Sequence, residues 1–450
     1  MNNYLPTDYQ TFIATSRYAR WMEEEGRRET WGETVERYIQ NIVKPWLKPV
    51  DLQEIRDAIL SLEVMPSMRS LMTAGLAAKR DNTCMYNCSY LPVDDPKSFD
   101  EAMFILLCGT GVGFSVERQF VSKLPDIPTL FQSDTTVVIK DSKEGWAKGL
   151  RQVLALLWAG EIPKWDVSRV RPAGARLKTF GGRASGPAPL VDLFMFAINT
   201  FKGAAGRKLS SIECHDLMCK IGEVVVVGGV RRSAMISLSN LSDDRMRHAK
   251  SGNWWENAAH RALANNSVSY SEKPDSIAFM REWTALMESG SGERGIFNRE
   301  ASVKQAAKNG RRETCYEFGT NPCSEIILRP NQFCNLTEVV IRATDSMEDL
   351  SRKVRIATVL GTIQSTYTNF PYLRKVWTNN TAAERLLGVS LTGIMDNPLM
   401  TLANEGLSET LEHLKNVAVT TNAEWADTLS IPISTAITCV KPSGTVSQLV

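Results

Sequence analysis

The sequence predicts an α/β fold, because segments with the pattern of strands alternate with segments at helical spacing over about 350 residues. Residues 88–93 and 113–116 are short apolar runs typical of strands. Between them, residues 100–107 have the composition of an apolar helix. The order strand, helix, strand is the unit from which α/β folds are built.

The same alternation continues towards the middle of the chain. Asp141 opens a D-x-x-E helix-start pattern, which leads into leucine and valine residues at helical spacing. Residues 189–198 predict another apolar helix, and the valine-rich residues 221–227 predict a strand that ends at Gly228.

The beginning of the chain is mainly helical. Thr30 and Glu33 have the spacing of a capping box before a helix, and residues 51–62 repeat the helical pattern and stop before a proline. We therefore expect a helical N-terminal region at residues 1–80, followed by one α/β part at residues 81–450.

Composition narrows the class of protein. The chain has 450 residues, 43% hydrophobic and 23% charged, which is ordinary for a globular enzyme with a sizeable core. A formal charge of +2 argues against binding to a nucleic-acid backbone. No apolar run approaches the roughly 18 residues that a membrane span needs. The N-terminus lacks the features of a signal peptide, so we expect a cytoplasmic location.

The nine cysteines do not form a metal-binding pattern. Their spacing is irregular, and the four histidines complete no zinc motif, so no metal site is expected. In a reducing cytosol, cysteines are usually packing residues, catalytic groups or redox-cycling thiols.

One short segment combines residue types that suit chemistry on a diol. Every second residue of this segment is polar and reactive: Asn321, Cys323 and Glu325. Pro322 stiffens the backbone between them, so the three side chains can converge on a small ligand. A thiol can give up or take a hydrogen, a carboxylate can accept a hydroxyl proton, and an amide can hold hydroxyls. A buried structural cysteine is the alternative interpretation of a single thiol.

This segment resembles the active-site finger loop of ribonucleotide reductases, and further motifs resemble that family in the same order along the chain. Cys88 resembles its first redox cysteine, and Cys334 resembles the partner. The remaining motifs are residues 109–115, 180–187, 228–234 and 441–446. The resemblance implies a ten-stranded α/β barrel built from two five-stranded halves, with the finger loop at its centre.

The resemblance also implies roles for the site residues. Cys323 would carry a thiyl radical that removes a hydrogen from the ribose 3′ carbon, Glu325 would be the base at the 3′ hydroxyl, and Asn321 would hydrogen-bond the ribose. Cys88 and Cys334 would supply the reducing equivalents and become a disulfide; inert buried thiols are the alternative. Cys84 lies four residues before Cys88 and competes with it for the redox role.

Nucleotide-binding residues follow from the other motifs. Gly113 belongs to a segment that resembles the family's glycine-rich strand entry near the substrate. The turn Pro442, Ser443, Gly444 and Thr445 resembles the loop that binds substrate phosphates. Free backbone N–H groups and two hydroxyls at a helix start suit that role. Two glycine loops resemble the specificity loops, which bind a deoxynucleotide or ATP effector; their residues are Gly181, Gly182, Arg183, Ser185, Gly229, Arg231 and Arg232.

The N-terminal region indicates the subclass. Arg20-Trp21, residues 25–31 and residues 65–69 resemble the monomeric type that depends on adenosylcobalamin and reduces ribonucleoside triphosphates, with thioredoxin or a similar dithiol as reductant. Two alternatives remain: a class I-type large subunit that takes its radical from a metal-containing subunit, and a non-catalytic nucleotide-binding half.

The sequence ends at Val450, soon after the phosphate loop. The resembling family continues with further barrel strands and a tail that carries a cysteine pair. We therefore expect a second polypeptide to supply this C-terminal part.

Overall fold

A computed structural model describes residues 5–175, 183–227 and 234–450. The chain divides into two compact units. The first unit comprises Met1–Asn87, Asn309–Glu313 and Phe333–Val450, and the second comprises Cys88–Lys308 and Thr314–Gln332.

The described residues contain fifteen strands and eighteen α-helices. In chain order the strands are β1 (Trp21–Met22), β2 (Arg27–Arg28), β3 (Val64–Met65), β4 (Cys88–Pro92), β5 (Gly111–Ser115), β6 (Phe131–Val138), β7 (Glu161–Asp166), β8 (Met235–Asn240), β9 (Ala264–Tyr270), β10 (Gly295–Asn298), β11 (Gly319–Thr320), β12 (Ile327–Leu328), β13 (Gln332–Phe333), β14 (Leu336–Val340) and β15 (Gly388–Thr392). The helices are α1 (Asp8–Arg17), α2 (Trp31–Tyr38), α3 (Pro49–Leu60), α4 (Met68–Thr73), α5 (Leu76–Arg80), α6 (Lys97–Leu107), α7 (Arg118–Val121), α8 (Lys143–Trp158), α9 (Ala188–Gly203), α10 (Ser211–Val227), α11 (Asp244–Arg247), α12 (Trp254–Asn257), α13 (Ser276–Ser289), α14 (Arg299–Ala307), α15 (Met347–Gln364), α16 (Lys375–Glu384), α17 (Leu407–Thr428) and α18 (Thr445–Leu449).

Five strands of the second unit form a parallel sheet in the order β10-β9-β8-β5-β4. Its interior strand β5 is buried along its whole length, which is typical of a parallel strand covered on both faces. Helices α6 and α10 pack against each other beside this sheet. In the register of β4 and β5, Cys88 pairs with Gly111. The sheet therefore brings the start of β4 next to the glycine-rich start of β5.

The second unit also contains a smaller parallel pair, β6 with β7. Helix α8 connects the two strands and packs against β7 and α9. Ser142 caps α8 by accepting a hydrogen bond from the backbone N–H of Gly145 at 2.9 Å. The D-x-x-E pattern thus predicted this helix correctly, with its cap one residue later than Asp141.

The first unit is built around the buried strand β14, which pairs in parallel with β15 and antiparallel with β3. Helix α15 follows β14, begins at a capping box formed by Ser346 and Asp349, and packs against β14 and the long helix α17. In the described residues the strands lie in separate sheets, so strand pairing does not close the predicted ten-stranded barrel there.

The N-terminal capping box is present as predicted. The Thr30 hydroxyl accepts from the backbone N–H of Glu33 at 3.3 Å, and the Glu33 carboxylate accepts from the backbone N–H of Thr30 at 2.7 Å. Arg27 adds two hydrogen bonds to the same carboxylate at 2.8 Å each. The Arg27 guanidinium and the capping bonds lower the pKa of Glu33 to about 2.

The strand predicted at residues 221–227 is wrong, because these residues form the last turns of α10. Val224 and Val225 are both buried, whereas Val226 and Val227 are 39% and 52% exposed. Burial recurs at Cys214, Leu217, Ile221 and Val224, which is helical spacing. Packing of this stripe outweighs the preference of valine for strands. Among the described residues, no helix is long and apolar enough to cross a membrane.

We predict that Val225→Ala lowers the free energy of unfolding by about 1–2.5 kcal/mol, because the side chain is fully buried. The matched variant Val226→Ala should change it by less than about 0.5 kcal/mol, because that side chain faces solvent. Urea unfolding of both variants measures the difference. In a strand, Val224 and Val226 would share one face, so equal losses from Val224→Ala and Val226→Ala would contradict the helix.

Candidate functional site

Asn321, Cys323 and Glu325 lie on one hairpin of the second unit. Strands β11 and β12 pair antiparallel, with Gly319 opposite Leu328 and Thr320 opposite Ile327. The six residues 321–326 connect the strands and are called the finger loop below. Ser324 adopts φ of +64°, and its N–H donates to the carbonyl of Asn321 at 2.9 Å, which closes the tight turn.

Asn321 organises the finger loop through both ends of its side-chain amide. Its Oδ1 accepts from the backbone N–H of Ile326 at 3.0 Å, and its Nδ2 donates to Oε2 of Glu325 at 2.6 Å. Asn321 is fully buried and Glu325 is half-buried. The carboxylate predicted to act as a base is therefore held in place by the amide predicted to bind hydroxyls.

Cys323 is exposed at the turn of the finger loop. A thiol that is to carry a radical needs shielding from solvent, which an exposed side chain lacks. The exposure also leaves the sulfur accessible to a reaction partner.

Glycines of β5 let the hairpin approach the sheet. A Cβ added at Gly113 would lie 1.8 Å from the carbonyl oxygen of Thr320, and one added at Gly111 would lie 3.0 Å from Cγ of Pro322. A Cβ at Gly319 would come within 2.1 Å of the Tyr90 ring. The glycine-rich segment predicted to lie near the substrate therefore contacts the finger loop itself.

Cys88 opens β4 and is half-buried. Its register partner is Gly111, which contacts Pro322, so Cys88 lies one strand away from the contact between β5 and the finger loop. Cys84 has a different environment, because it is buried in a 3₁₀ turn of the first unit and its Sγ donates to the carbonyl of Asp81 at 3.2 Å. These positions favour Cys88 over Cys84 as the redox candidate.

Cys334 belongs to the first unit and is fully buried between β13 and β14. The next residue, Asn335, donates through Nδ2 to the carbonyl of Gly361 at 2.8 Å, which ties this part of the chain to α15. Burial of the Cys334 side chain agrees with either a redox thiol or an inert core thiol.

The predicted phosphate loop lies in the first unit, and its helix begins at Thr445 after Gly444, as expected. Lys441 precedes the loop and is anchored twice. Its backbone N–H donates to Oγ of Ser390 at 3.0 Å, and its Nζ donates to Oε2 of the buried Glu338 at 3.3 Å. The Ser443 hydroxyl accepts from the N–H of Ser447 at 3.0 Å.

Only part of the predicted specificity loops can be located. Gly181, Gly182, Gly229, Arg231 and Arg232 lie outside the described residues. Arg183 is exposed and donates to the carbonyl of Gly174 at 2.9 Å, and the Ser185 hydroxyl donates to the carbonyl of Gly186 at 3.0 Å.

The two helices that flank these loops in the chain both belong to the second unit. Helix α9 follows the first loop and α10 ends just before the second, and the two helices pack against each other in the second unit. Among the described residues, no group of three or more His, Cys, Asp and Glu side chains is placed to hold a metal ion.

One pair of residues beside the finger loop has no sequence signal. Arg299 and Glu117 form a buried ion pair, although 182 residues separate them in the chain. Neither residue belongs to a recognisable motif, so only the tertiary structure identifies the pair.

Comparison with known proteins agrees with this fold. A crystal structure of a B12-dependent (class II) ribonucleotide reductase superposes with a TM-score of 0.82 and covers 97% of this chain and 73% of that chain, at 23% identity. The alpha subunit of a class Id ribonucleotide reductase from Actinobacillus ureae gives a TM-score of 0.58 at 11% identity, covering 100% of this chain and 74% of that chain.

Sequence relatives belong to the same class. Adenosylcobalamin-dependent ribonucleoside-triphosphate reductases of Lactobacillus helveticus and Lactobacillus leichmannii are each 27% identical, over 96% of this chain and 71% of theirs. The family model described as the insertion domain of B12-dependent ribonucleotide reductase matches residues 124–201. That segment contains β6, α8 and β7, and the sequence motifs did not single it out as a domain.

The fold is therefore the α/β fold of class II ribonucleotide reductases, which confirms the predicted fold class. The chain is similar to the adenosylcobalamin-dependent ribonucleoside-triphosphate reductases over nearly its whole length, which confirms the predicted resemblance.

We predict that Gly113→Ala lowers the free energy of unfolding by about 2 kcal/mol or more, because its Cβ would clash with the carbonyl of Thr320 and force the hairpin off the sheet. The control is Gly203→Ala, at the end of α9, where a Cβ meets no atom within 4 Å. That control should be neutral or slightly stabilising, because alanine favours a helix. Urea unfolding is the measurement, and equal stability of the two variants would contradict the close approach.

Proposed function

We propose that the protein is the catalytic chain of an adenosylcobalamin-dependent ribonucleotide reductase, which reduces ribonucleoside triphosphates to 2′-deoxyribonucleotides. The observation that carries this proposal is the finger loop. It joins the Asn321 amide to the Glu325 carboxylate at 2.6 Å and presents the Cys323 thiol between them. The named activity of the relatives supports the same reaction.

The finger loop would begin the chemistry at the ribose. Cys323, as a thiyl radical, takes the hydrogen from the 3′ carbon and becomes a thiol. Glu325 accepts the proton of the 3′ hydroxyl, and Asn321 keeps the carboxylate oriented towards it. The 2′ hydroxyl then takes a proton from one thiol of the redox pair described next and leaves as water. Each group acts on a different atom of one small ligand, which agrees with their spacing along six residues of loop.

Cys88 and Cys334 would provide the two electrons of the reduction. Their thiols become a disulfide, and Cys323 returns the hydrogen to the 3′ carbon at the end of the cycle. Thioredoxin or a similar dithiol would reduce that disulfide by thiol exchange. The position of Cys88 beside Gly111, next to the finger loop, supports its part in this pair.

The cofactor assignment fits the exposed thiol. When bound, adenosylcobalamin supplies the radical-generating chemistry of this class. Cys323 is the residue of this chain that such a group would need to approach, and its side chain is accessible at the turn of the finger loop. The cofactor and substrate would also exclude water from the sulfur.

The nucleotide would be bound at its phosphates by the turn from Pro442 to Thr445. Because Glu338 accepts from the Lys441 ammonium, the backbone N–H groups and hydroxyls of the turn would be the main phosphate donors. A deoxynucleotide or ATP effector is proposed for the two loops next to α9 and α10. A cytoplasmic location and a second polypeptide stay predictions.

The class I alternative is not favoured, because the class II structure superposes much better than the class Id subunit, with TM-scores of 0.82 and 0.58. A non-catalytic nucleotide-binding half would have the same fold and bind the same nucleotides, but it would form no deoxyribonucleotide. Turnover is therefore the property to measure.

We predict that the reduced protein, given adenosylcobalamin, a ribonucleoside triphosphate and no metal-containing subunit, forms up to one deoxyribonucleotide per chain without external reductant. Cys323→Ser should lower product formation by about 1,000-fold or more, the scale of loss when a reacting group is removed. Chromatography of the nucleotides is the measurement. Cys315→Ser is the matched control, because Cys315 is the other exposed cysteine of the second unit and should leave the yield unchanged. Product from Cys323→Ser at the parent's level would refute the radical assignment.

The second prediction identifies the redox pair. After this single turnover, peptide mapping by mass spectrometry should find Cys88 linked to Cys334, because oxidation of these thiols supplies the two electrons. Cys84 should stay reduced, because it is buried and bonded to the carbonyl of Asp81. A Cys84–Cys334 disulfide would show that the first redox residue is misassigned.

A further inference from the structure

The buried ion pair of Arg299 and Glu117 lies at the base of the finger hairpin, which consists of β11, the finger loop and β12. Nη1 and Nη2 of Arg299 donate to Oε1 and Oε2 of Glu117 at 2.8 and 2.6 Å. The Arg299 side chain is 6% exposed and that of Glu117 is fully buried. Burial works against the charge of Arg299, but the Glu117 carboxylate outweighs it, so the pKa of Arg299 is above its usual value. The guanidinium therefore stays charged.

A third hydrogen bond connects the pair to the hairpin. Nε of Arg299 donates to the carbonyl of Phe318 at 2.7 Å, and Phe318 directly precedes β11. The next residue, Gly319, lies against the ring of the buried Tyr90. The start of the hairpin thus contacts both a planar guanidinium and an aromatic ring.

Both residues of the pair lie just after strands of the parallel sheet. Arg299 begins α14 at the end of β10, and Glu117 lies two residues after β5. The Ser115 hydroxyl donates to Oε2 of Glu117 at 2.7 Å, and Nε2 of Gln119 donates to Oε1 at 3.1 Å. Each carboxylate oxygen therefore has two donors, which leaves the side chain a single orientation.

Stability alone does not explain such a pair, because replacing a buried ion pair with apolar residues is often neutral or stabilising. The second unit contains another pair of the same kind, Arg294 with Glu282, which is equally buried. Arg294 donates instead to the Ser239 hydroxyl and to the carbonyls of Asn240 and Leu241, so among the described residues its hydrogen bonds do not reach the hairpin. The two pairs differ in what they hold.

We propose that Arg299 and Glu117 are positioning residues that hold the finger hairpin on the sheet, so that Cys323 and Glu325 meet the ribose in a reactive geometry. This inference rests on the proposed function. Neither residue touches the substrate; both act through the carbonyl of Phe318. A misplacement of about 1 Å in reacting groups costs on the order of 100-fold in rate, so a fixed base of the loop has a direct kinetic effect.

The test compares Arg299→Lys with Arg294→Lys. Lysine keeps the positive charge but lacks the planar fork and the Nε donor, so Arg299→Lys releases the carbonyl of Phe318. The first measurement is the rate at which iodoacetamide alkylates Cys323, followed by peptide mass spectrometry with glutathione as an external standard. We expect Arg299→Lys to raise this rate at least about threefold, because a released loop exposes the thiol more often. Arg294→Lys should leave it unchanged.

The second measurement is steady-state turnover with adenosylcobalamin and a dithiol that reduces the active-site disulfide. Arg299→Lys should lower kcat by about 100-fold with KM for the nucleotide changed by less than about threefold, because orientation is lost and phosphate binding is not. Arg294→Lys should retain the parent's kcat. Glu117→Gln has the same shape as the parent side chain, should act like Arg299→Lys, and replaces it if that variant does not fold.

The alkylation readout does not need turnover, so it separates the two proposals. A parent protein that makes no deoxynucleotide would refute the proposed function, while the change in Cys323 reactivity would still support the positioning role. Folded Arg299→Lys and Glu117→Gln with the parent's alkylation rate and kcat would overturn the positioning role. Equal effects from Arg294→Lys would overturn it too.

Discussion

The close approach of the finger hairpin to β5 is the constraint on which the candidate site depends. The carbonyl of Thr320 occupies the space that a side chain at Gly113 would need. Hydrogen-bonded strands cannot yield by the distance that a Cβ requires, so only glycine permits this contact. Because β5 is a fully buried interior strand of the parallel sheet, the hairpin lies against the core of the second unit.

Hydrogen bonds within the finger loop also fix its conformation. The Asn321 amide replaces a backbone partner for Ile326 and at the same time holds the Glu325 carboxylate. Loop residues usually have few fixed contacts, whereas these are bonded before any ligand arrives. Such preorganisation lowers the cost of arranging groups during a reaction. The Cys323 thiol differs from the buried Asn321 and the half-buried Glu325, because it is exposed.

In the first unit, hydrogen bonds to strands also hold the start of the predicted phosphate loop. The buried Glu338 of β14 and the Ser390 hydroxyl of β15 anchor Lys441, so the chain enters the loop from two fixed points of the three-stranded sheet. An ammonium already bonded to a carboxylate contributes little free positive charge. In the proposed function, the backbone N–H groups and hydroxyls of the turn therefore donate most of the hydrogen bonds to phosphate.

Local patterns in the sequence determined much of this protein. The capping box at Thr30, the helices at 100–107 and 189–198 and the strand at Cys88 depend on neighbours a few residues apart, and all are found where predicted. Family motifs identified the class, since each keeps its residue types together. Tertiary structure decided the rest. Packing made residues 221–227 a helix, because burial of a helical stripe outweighs the strand preference of valine. Arg299 and Glu117 are 182 residues apart and form a pair only because β10 and β5 lie in one sheet, which no local pattern encodes.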